Sequence, residues 1–179
     1  MKVWTEKTAK NVMRRPVTSI GTGTPLEEAI ALLSEEEISG APVVDGEGRA
    51  IGVISLYDVA QYLAGLDREL VRQGSYYAFV DPDSEEAIAR WERVRQIGDR
   101  NLLREATVDD VMTPSVVAVA QDTPIPDVVR VMRTRHIHRV LVLAGDEPIG
   151  VVTTMDVLAA LDDEAAGLPA RPKKAARTR

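Results

Sequence analysis

Apolar residues recur at helical spacing in some parts of the chain and in short uninterrupted runs in others. After Thr24, the positions that share one helical face are Leu26, Ala29, Ile30 and Leu33. Pro25 stands at the first helical position and Glu27 lies three residues after Thr24, a spacing typical of a helix start with a capping box. The pattern therefore predicts a helix with Thr24 as its N-cap and one buried face.

The remaining patterns arrange the chain into two similar series of elements. Apolar runs without polar alternation favour strands covered on both faces. The first series is a helical turn at 8–13, a strand at 17–20, the helix from residue 24, strands at 41–44 and 50–54, and a helix at 56–66. The second is a helical turn at 108–112, strands at 116–119, 140–143 and 149–153, and helices at 124–134 and 155–161.

These two series are copies of one unit of about 55 residues. Residues 8–13 (TAKNVM) align with residues 107–112 (TVDDVM) at an offset of 99 positions, and the same offset places Thr24 on Thr123. The offset changes by one only in the polar turn at 45–49, where an insertion is tolerated. We expect the two copies to pack together and bury faces that neither could bury alone.

Composition and charge limit the chemistry and the partners. The chain has no cysteine, which excludes disulfides and thiolate sites, and His136 and His138 lack further ligands for a metal. No apolar run approaches the ~20 residues of a membrane span, so we expect a soluble cytoplasmic protein. The net charge is −6, but the tail after residue 164 holds five cations and no acid, leaving −11 on residues 1–164. Such a body repels nucleic acid and membranes.

Both copies end in the same motif, Ile51–Asp58 (IGVISLYD) and Ile149–Asp156 (IGVVTTMD). Each is an apolar strand followed by a hydroxyl residue, Ser55 or Thr153, and three positions later by an aspartate in the first turn of a helix. A carboxylate there can accept two hydrogen bonds from a ribose diol, while the hydroxyl and the free amides can face a phosphate. The alternative is that these residues only cap their helices.

The order helix, strand, helix, strand, strand, helix, ending in Gly-apolar-apolar-[Ser/Thr]-x-x-Asp, resembles a CBS domain, and its repetition resembles a tandem CBS pair (Bateman module). Other segments that carry the resemblance are Val12-Met13, Val111-Met112, 38–44 (ISGAPVV) and 137–142 (IHRVLV). The resemblance implies an α/β fold of the α+β type: two repeats, each a small three-stranded sheet with flanking helices, packed as a pseudo-two-fold pair. The repeats would occupy 1–65 and 107–163, separated by an insertion at 66–106 and followed by a tail at 164–179.

The resemblance also implies two clefts for adenosine-containing ligands such as AMP, ADP, ATP or S-adenosylmethionine. Each cleft would take its ribose-binding aspartate and hydroxyl from one repeat and its base and phosphate contacts from the other. One cleft would use Ser55, Asp58, Val117, Ile137, His138 and Arg139. The other would use Thr153, Asp156, Thr18, Ile38 and Ser39. Because His138 and Arg139 belong to the first cleft, we expect phosphorylated ligands to prefer that cleft, which contains Asp58.

Two segments lie outside the resemblance. The insertion at 66–106 holds four of the seven aromatic residues, and residues 85–97 are predicted to form an amphipathic helix. This helix would pack on the module or its dimer mate, or serve as a lid or docking helix. The tail from residue 170 lacks apolar periodicity and is predicted to be disordered.

The residues and the resemblance together predict a non-catalytic regulatory sensor, a homodimer that binds an adenosyl ligand and signals to an unidentified protein by conformational change. No catalytic triad order and no Walker loop are visible, so we do not expect an enzyme. One alternative is a ligand-free scaffold or dimerisation protein whose aspartates only cap helices. Another is a regulator that associates with nucleic acid through its basic tail.

Overall fold

The computed structural model describes residues 6–63 and 100–165 of the chain. The predicted helix at 85–97, the aromatic residues of the insertion and the tail from residue 170 lie outside the described residues. In chain order the elements are α1 (Ala9–Val12), β1 (Ile20–Gly21), α2 (Leu26–Glu35), β2 (Gly40–Val44), β3 (Ala50–Ser55), α3 (Leu56–Leu63), α4 (Arg100–Glu105), α5 (Val108–Val111), β4 (Ala118–Ala120), α6 (Ile125–Arg135), β5 (Arg139–Ala144), β6 (Glu147–Thr153) and α7 (Thr154–Ala165).

The strands form two three-stranded mixed sheets, ordered β1-β2-β3 and β4-β5-β6. In each sheet the first strand is parallel to the second, and the second is antiparallel to the third. This confirms the predicted α+β class and the three-stranded sheet of each repeat. The first strand, predicted at 17–20, is instead Ile20–Gly21, because these are the residues that pair in register with Val43 and Val44 of β2.

The chain divides into two compact units, one of which combines two segments that are distant in sequence. The repeat-1 unit is Thr18–Val116, and the repeat-2 unit combines Met1–Val17 with Val117–Arg179. The helical turn α1 therefore belongs to the unit of β4–β6, and the equivalent turn α5 belongs to the unit of β1–β3. Each unit therefore includes the opening segment of the other repeat.

The start of α2 differs from the prediction. The hydroxyl of Thr24 donates to the carbonyl oxygen of Gly21 (2.7 Å) and makes no capping bond to the helix. The amide of Leu26 donates to the carbonyl oxygen of Ala106, just before α5 (3.0 Å). The predicted capping box of Thr24 and Glu27 is thus wrong, because a segment distant in sequence satisfies the end of the helix.

In the repeat-2 unit, the first backbone amide of α6 is hydrogen-bonded in the same way. The amide of Ile125 donates to the carbonyl oxygen of Lys7 (3.0 Å), and the amide of Ala9 donates back to the carbonyl oxygen of Thr123 (2.9 Å). In both units the first long helix thus begins against the helical turn that opens the other repeat.

The glycine at the second position of each repeated motif is needed for the Val-Met turn to pack on the third strand. A Cβ atom on Gly150 would lie 2.6 Å from Sδ of Met13, and one on Gly52 would lie 2.8 Å from Sδ of Met112. The same atom on Gly52 would also lie 2.8 Å from the carbonyl oxygen of Thr113. Glycine is therefore the residue that lets the Val-Met turn lie directly on the third strand.

The core of the repeat-1 unit lies between its sheet and its helices. The predicted apolar face of α2 is confirmed, since Leu26, Ala29 and Leu33 are fully buried and Ile30 packs against them. Other buried residues of this core are Ile20, Ala41, Val43, Ile54, Leu56, Val59, Ala106, Val108 and Val111. Val108 and Val111 belong to α5, so this turn of the second repeat contributes buried residues to the core of the repeat-1 unit and does not merely cover it.

Candidate functional site

In the repeat-2 unit the repeated motif places Thr153 at the end of β6 and Asp156 in the first turn of α7. Oδ2 of Asp156 accepts hydrogen bonds from the amide (2.8 Å) and the hydroxyl (2.6 Å) of Thr153. The amide of Asp156 is 3.2 Å from Oγ1 of Thr153. These bonds hold the carboxylate in one orientation at the end of the sheet.

The repeat-1 unit contains the same arrangement. Oδ2 of Asp58 accepts hydrogen bonds from the amide (2.8 Å) and the hydroxyl (2.5 Å) of Ser55, whose side chain is buried. The amide of Asp58 is 3.3 Å from the Ser55 hydroxyl. The motif thus forms one geometry twice, and the capping role considered from the sequence is present in both units.

Helix capping of this kind is not confined to the motif. Thr8 with Asn11 and Thr107 with Asp110 form capping boxes at α1 and α5. A hydroxyl residue followed three positions later by a carboxylate or amide is therefore no evidence of a ligand by itself, and the surroundings of each pair have to be compared.

His138 and Arg139, which are predicted to contact phosphate, lie next to Thr153 and the start of α7 in the repeat-2 unit. The carbonyl oxygen of His138 accepts hydrogen bonds from the amide (2.9 Å) and the hydroxyl (3.2 Å) of Thr154, the first residue of α7. Arg139 opens β5 and pairs with Thr153 across the sheet. The main chain of both residues is thus fixed next to the start of α7.

The equivalent positions in the repeat-1 unit are occupied by Ser39 and Gly40, which are uncharged. The carbonyl oxygen of Ser39 accepts a hydrogen bond from the amide of Leu56 (3.0 Å), and Gly40 pairs with Ser55. The two units therefore share a backbone arrangement and differ in charge at these two positions.

The predicted site residues are divided between the units. Thr18, Ile38, Ser39, Ser55 and Asp58 belong to the repeat-1 unit. Val117, Ile137, His138, Arg139, Thr153 and Asp156 belong to the repeat-2 unit. Ile137 is buried and His138 is exposed. The predicted sharing of each cleft between the repeats stays a prediction.

The sequence prediction missed Arg14. Its Nε donates a hydrogen bond to Oδ1 of Asp156 at 2.7 Å, and the side chains are 69% and 11% exposed. The repeat alignment contained a signal for this residue, since the offset of 99 positions places Thr113 opposite Arg14. A cation thus follows the Val-Met turn in the first copy, where the second copy has a threonine.

A cavity of about 530 Å³ lies between α6 and α7 of the repeat-2 unit. Its lining is mostly apolar with basic and hydroxyl groups, and consists of Val129, Met132, Arg133, His136, Ile137, His138, Thr154, Val157, Leu158 and Leu161. Three large apolar side chains of α7 are exposed beside it: Met155 (53%), Leu158 (50%) and Leu161 (37%). The helices thus leave an apolar face uncovered by the described residues.

Within residues 6–63 and 100–165, no helix combines the length and hydrophobicity required to cross a membrane. In the same residues, no group of three or more His, Asp or Glu side chains is arranged to hold a metal ion.

Comparison with known proteins identifies relatives over most of the chain. The family model of the CBS domain matches residues 9–65 and 108–163. The uncharacterized protein MJ1426 of Methanocaldococcus jannaschii is 29% identical over 155 residues, which are 85% of this chain and 89% of that protein. The chloroplastic CBS domain-containing protein CBSX2 of Arabidopsis thaliana is 29% identical over 152 residues, 82% of this chain and 59% of that protein.

Solved structures have the same fold. The CBS domain pair of protein MJ0100, in complex with 5′-methylthioadenosine and S-adenosyl-L-methionine, has a TM-score of 0.59 at 20% identity, covering 88% of this chain and 98% of that one. CBSX2 in complex with AMP has a TM-score of 0.59 at 23% identity, with the same coverage. The CBS domain of a membrane protein from Sphaerobacter thermophilus has a TM-score of 0.62 at 26% identity, covering 88% and 89%.

Proposed function

Since this chain belongs to the CBS domain family, whose model matches two segments that make up more than half of it, we propose that it is a regulatory module that binds an adenosine-containing ligand. Proteins with such domain pairs are typically regulatory and not catalytic, and we propose the same for this chain. The ligand classes to consider are AMP, ADP, ATP and S-adenosylmethionine.

The observation that carries the proposal is the fixed carboxylate at the same place in both units. Asp58 and Asp156 each have Oδ2 held by an amide and a hydroxyl from the end of the third strand. A carboxylate oriented in advance accepts ribose hydroxyls without losing further side-chain entropy. The solved complexes of MJ0100 and CBSX2 support an adenosyl ligand, since those proteins hold 5′-methylthioadenosine, S-adenosylmethionine and AMP.

The other predicted residues keep their proposed roles by their positions in the repeat. At one site we assign Val117 and Ile137 to the base and His138 and Arg139 to the phosphate end of the ligand. At the other site, Thr18, Ile38 and Ser39 are the residues that contact the ligand beside Thr153 and Asp156. Ligand binding would regulate an unidentified protein by shifting a conformational equilibrium, to the extent that the ligand binds one state more tightly than the other. The cytoplasmic location stays a prediction.

We also propose that the apolar face of α7 binds a second copy of this chain. Met155, Leu158 and Leu161 recur at helical spacing and are exposed beside the cavity. Arg133, which lines the cavity, and Asp162, four residues after Leu158 on α7, are both exposed, and a two-fold copy could bring these opposite charges together. Apolar surface with matching charge at its edge is typical of a dimer interface.

Titration calorimetry with AMP and with S-adenosylmethionine tests the proposed function. We expect saturable binding to the wild-type chain, and Asp58→Ala and Asp156→Ala should each remove or weaken a binding event by about tenfold or more. Asp110→Ala is the matched control, because it removes the same capping arrangement at α5 and should leave ligand binding unchanged.

The second candidate function is a scaffold without a ligand. It is favoured by the capping bonds that already occupy Ser55–Asp58 and Thr153–Asp156, and by the uncovered face of α7. Absence of any heat of binding with every adenosyl ligand, in a folded and dimeric protein, would establish the scaffold and exclude the sensor.

A further inference from the structure

Arg14 gives the Asp156 site a fixed positive group. The amide of Arg14 donates to the carbonyl oxygen of Val151 (2.8 Å), and the amide of Val151 donates back to the carbonyl oxygen of Arg14 (3.1 Å). Two backbone bonds thus anchor the residue on β6, and the Nε contact to Asp156 then orients the side chain. The guanidinium is placed before any ligand arrives.

The contact uses only part of the guanidinium. Nε binds Oδ1 of Asp156 at 2.7 Å, while the Arg14 side chain as a whole is 69% exposed. An arginine has five N–H donors in a rigid fork that matches phosphate oxygens, so the remaining donors are available to an anionic ligand. The carboxylate and the guanidinium also neutralise each other, so a phosphate is not repelled as it would be by an isolated carboxylate.

The repeat-1 unit lacks this group at the equivalent position. Thr113 is bridged to Val53 by the same pair of backbone bonds, with lengths of 2.8 and 3.0 Å. The two sites therefore share the main-chain arrangement at this position, but the side chain is cationic in one and neutral in the other. The difference is confined to the side chain, which makes the two copies a natural comparison.

We propose that Arg14 is a specificity-determining residue that makes the Asp156 site select a phosphorylated nucleoside over an uncharged nucleoside or a sulfonium-bearing one. The inference rests on the proposed function and adds the ligand class of one of its sites. It also revises the expectation that phosphate preference belongs to the Asp58 cleft, which was based on His138, Arg139 and Ser39 without Arg14.

The test compares AMP, adenosine and S-adenosylmethionine by calorimetry in an Asp58→Ala background, which isolates the Asp156 site. We expect AMP to bind more tightly than the other two, and Arg14→Thr, which copies Thr113, to reduce the AMP-to-adenosine affinity ratio about tenfold. Adenosine affinity should be unchanged or higher, because the substitution also releases Oδ1 of Asp156. Arg14→Lys, which keeps the charge but lacks the guanidinium fork, should retain only part of the ratio.

The measured quantity is a ratio, so other cations of the repeat-2 unit such as His138 and Arg139 affect parent and variant alike. Adenosine binding by the Arg14→Thr protein shows that its site is intact. An unchanged AMP-to-adenosine ratio in that protein would refute the role of Arg14 and leave the proposed function standing. If no adenosyl ligand binds even the wild-type chain, the proposed function is wrong and the role of Arg14 falls with it.

Discussion

At the scale of single residues, the two candidate ligand sites use the same hydrogen bonds as ordinary helix caps. Within the described residues, capping pairs occur at α1, α3, α5 and α7, and their hydrogen bonds are alike. The aspartate of the pair at α7 also accepts a hydrogen bond from a cation, Arg14. The positions of Asp58 and Asp156 could be predicted from sequence because capping is local. The Arg14 contact could not, because the two residues are 142 positions apart.

Asp45, in the turn between β2 and β3, is predicted to make the stability of the fold depend on pH. The backbone N–H of Arg49, assisted by the Arg49 side chain and the N–H of Glu47, holds the pKa of the Asp45 carboxyl below its ordinary value of 3.8, against the opposing effect of burial. A lowered pKa means that the ionised carboxylate stabilises the fold above pH 3.8, and that this contribution is lost as the pH falls through the folded-state pKa.

Asp45→Asn should therefore lower the melting temperature at pH 7, and its difference from wild type should shrink as the pH falls below 3.8. Thermal melts followed by circular dichroism across this range measure the effect. Asp146→Asn, in the exposed turn between β5 and β6, is the matched control and should behave like wild type at each pH. A constant difference for Asp45→Asn at all pH values would disprove the electrostatic origin.

At the scale of elements, periodicity predicted most helices and strands and failed where a distant segment decides the outcome. The helices from residues 24 and 124 and the strand pairs that follow them were recognisable from local patterns. The cap of α2 was not, because the acceptor for the amide of Leu26 is the carbonyl oxygen of Ala106. The membership of α1 and α5 in the opposite units was hidden for the same reason, since no local pattern states which sheet a short helix will contact.

The packing of α5 on β3 predicts a large effect for one added methyl group. Gly52→Ala should destabilise the protein by about 1–3 kcal/mol, because the new Cβ atom would lie 2.8 Å from the backbone oxygen of Thr113, which cannot rotate away. Gly46→Ala should have little effect, since nothing lies within 4 Å of its Cβ position. Urea denaturation of both variants measures the difference. Equal stability of the two proteins would show that α5 does not lie on β3 as described.

At the scale of the whole molecule, the duplication is the main feature that the sequence revealed. Two copies with one order of elements predicted two equivalent sheets, and both are present. The sequence also showed that the copies differ in charge, with His138 and Arg139 in one where the other has Ser39 and Gly40. The structure adds Arg14 in the repeat-2 unit, where the repeat-1 unit has Thr113. The fold of both units is that of the CBS family, and these positions distinguish one unit from the other.

The proposed dimer depends on the apolar face of α7. Leu158→Glu places a charge on a side chain that is 50% exposed at the centre of this face, so it should convert the dimer to a monomer while changing the stability of the unit by less than about 0.5 kcal/mol. Light scattering coupled to size exclusion measures the mass. Thr134→Glu, on α6 but outside the cavity lining, should remain dimeric, and a dimeric Leu158→Glu protein would place the interface elsewhere.

The contact between a ribose diol and the two fixed carboxylates is tested most directly by comparing AMP with 2′-deoxy-AMP in calorimetric titrations of the wild-type chain. A site built to hydrogen-bond a hydroxyl discriminates strongly against the analogue that lacks it, so we expect 2′-deoxy-AMP to bind at least about tenfold more weakly. Equal affinity for the two nucleotides would show that neither Asp58 nor Asp156 receives the ribose.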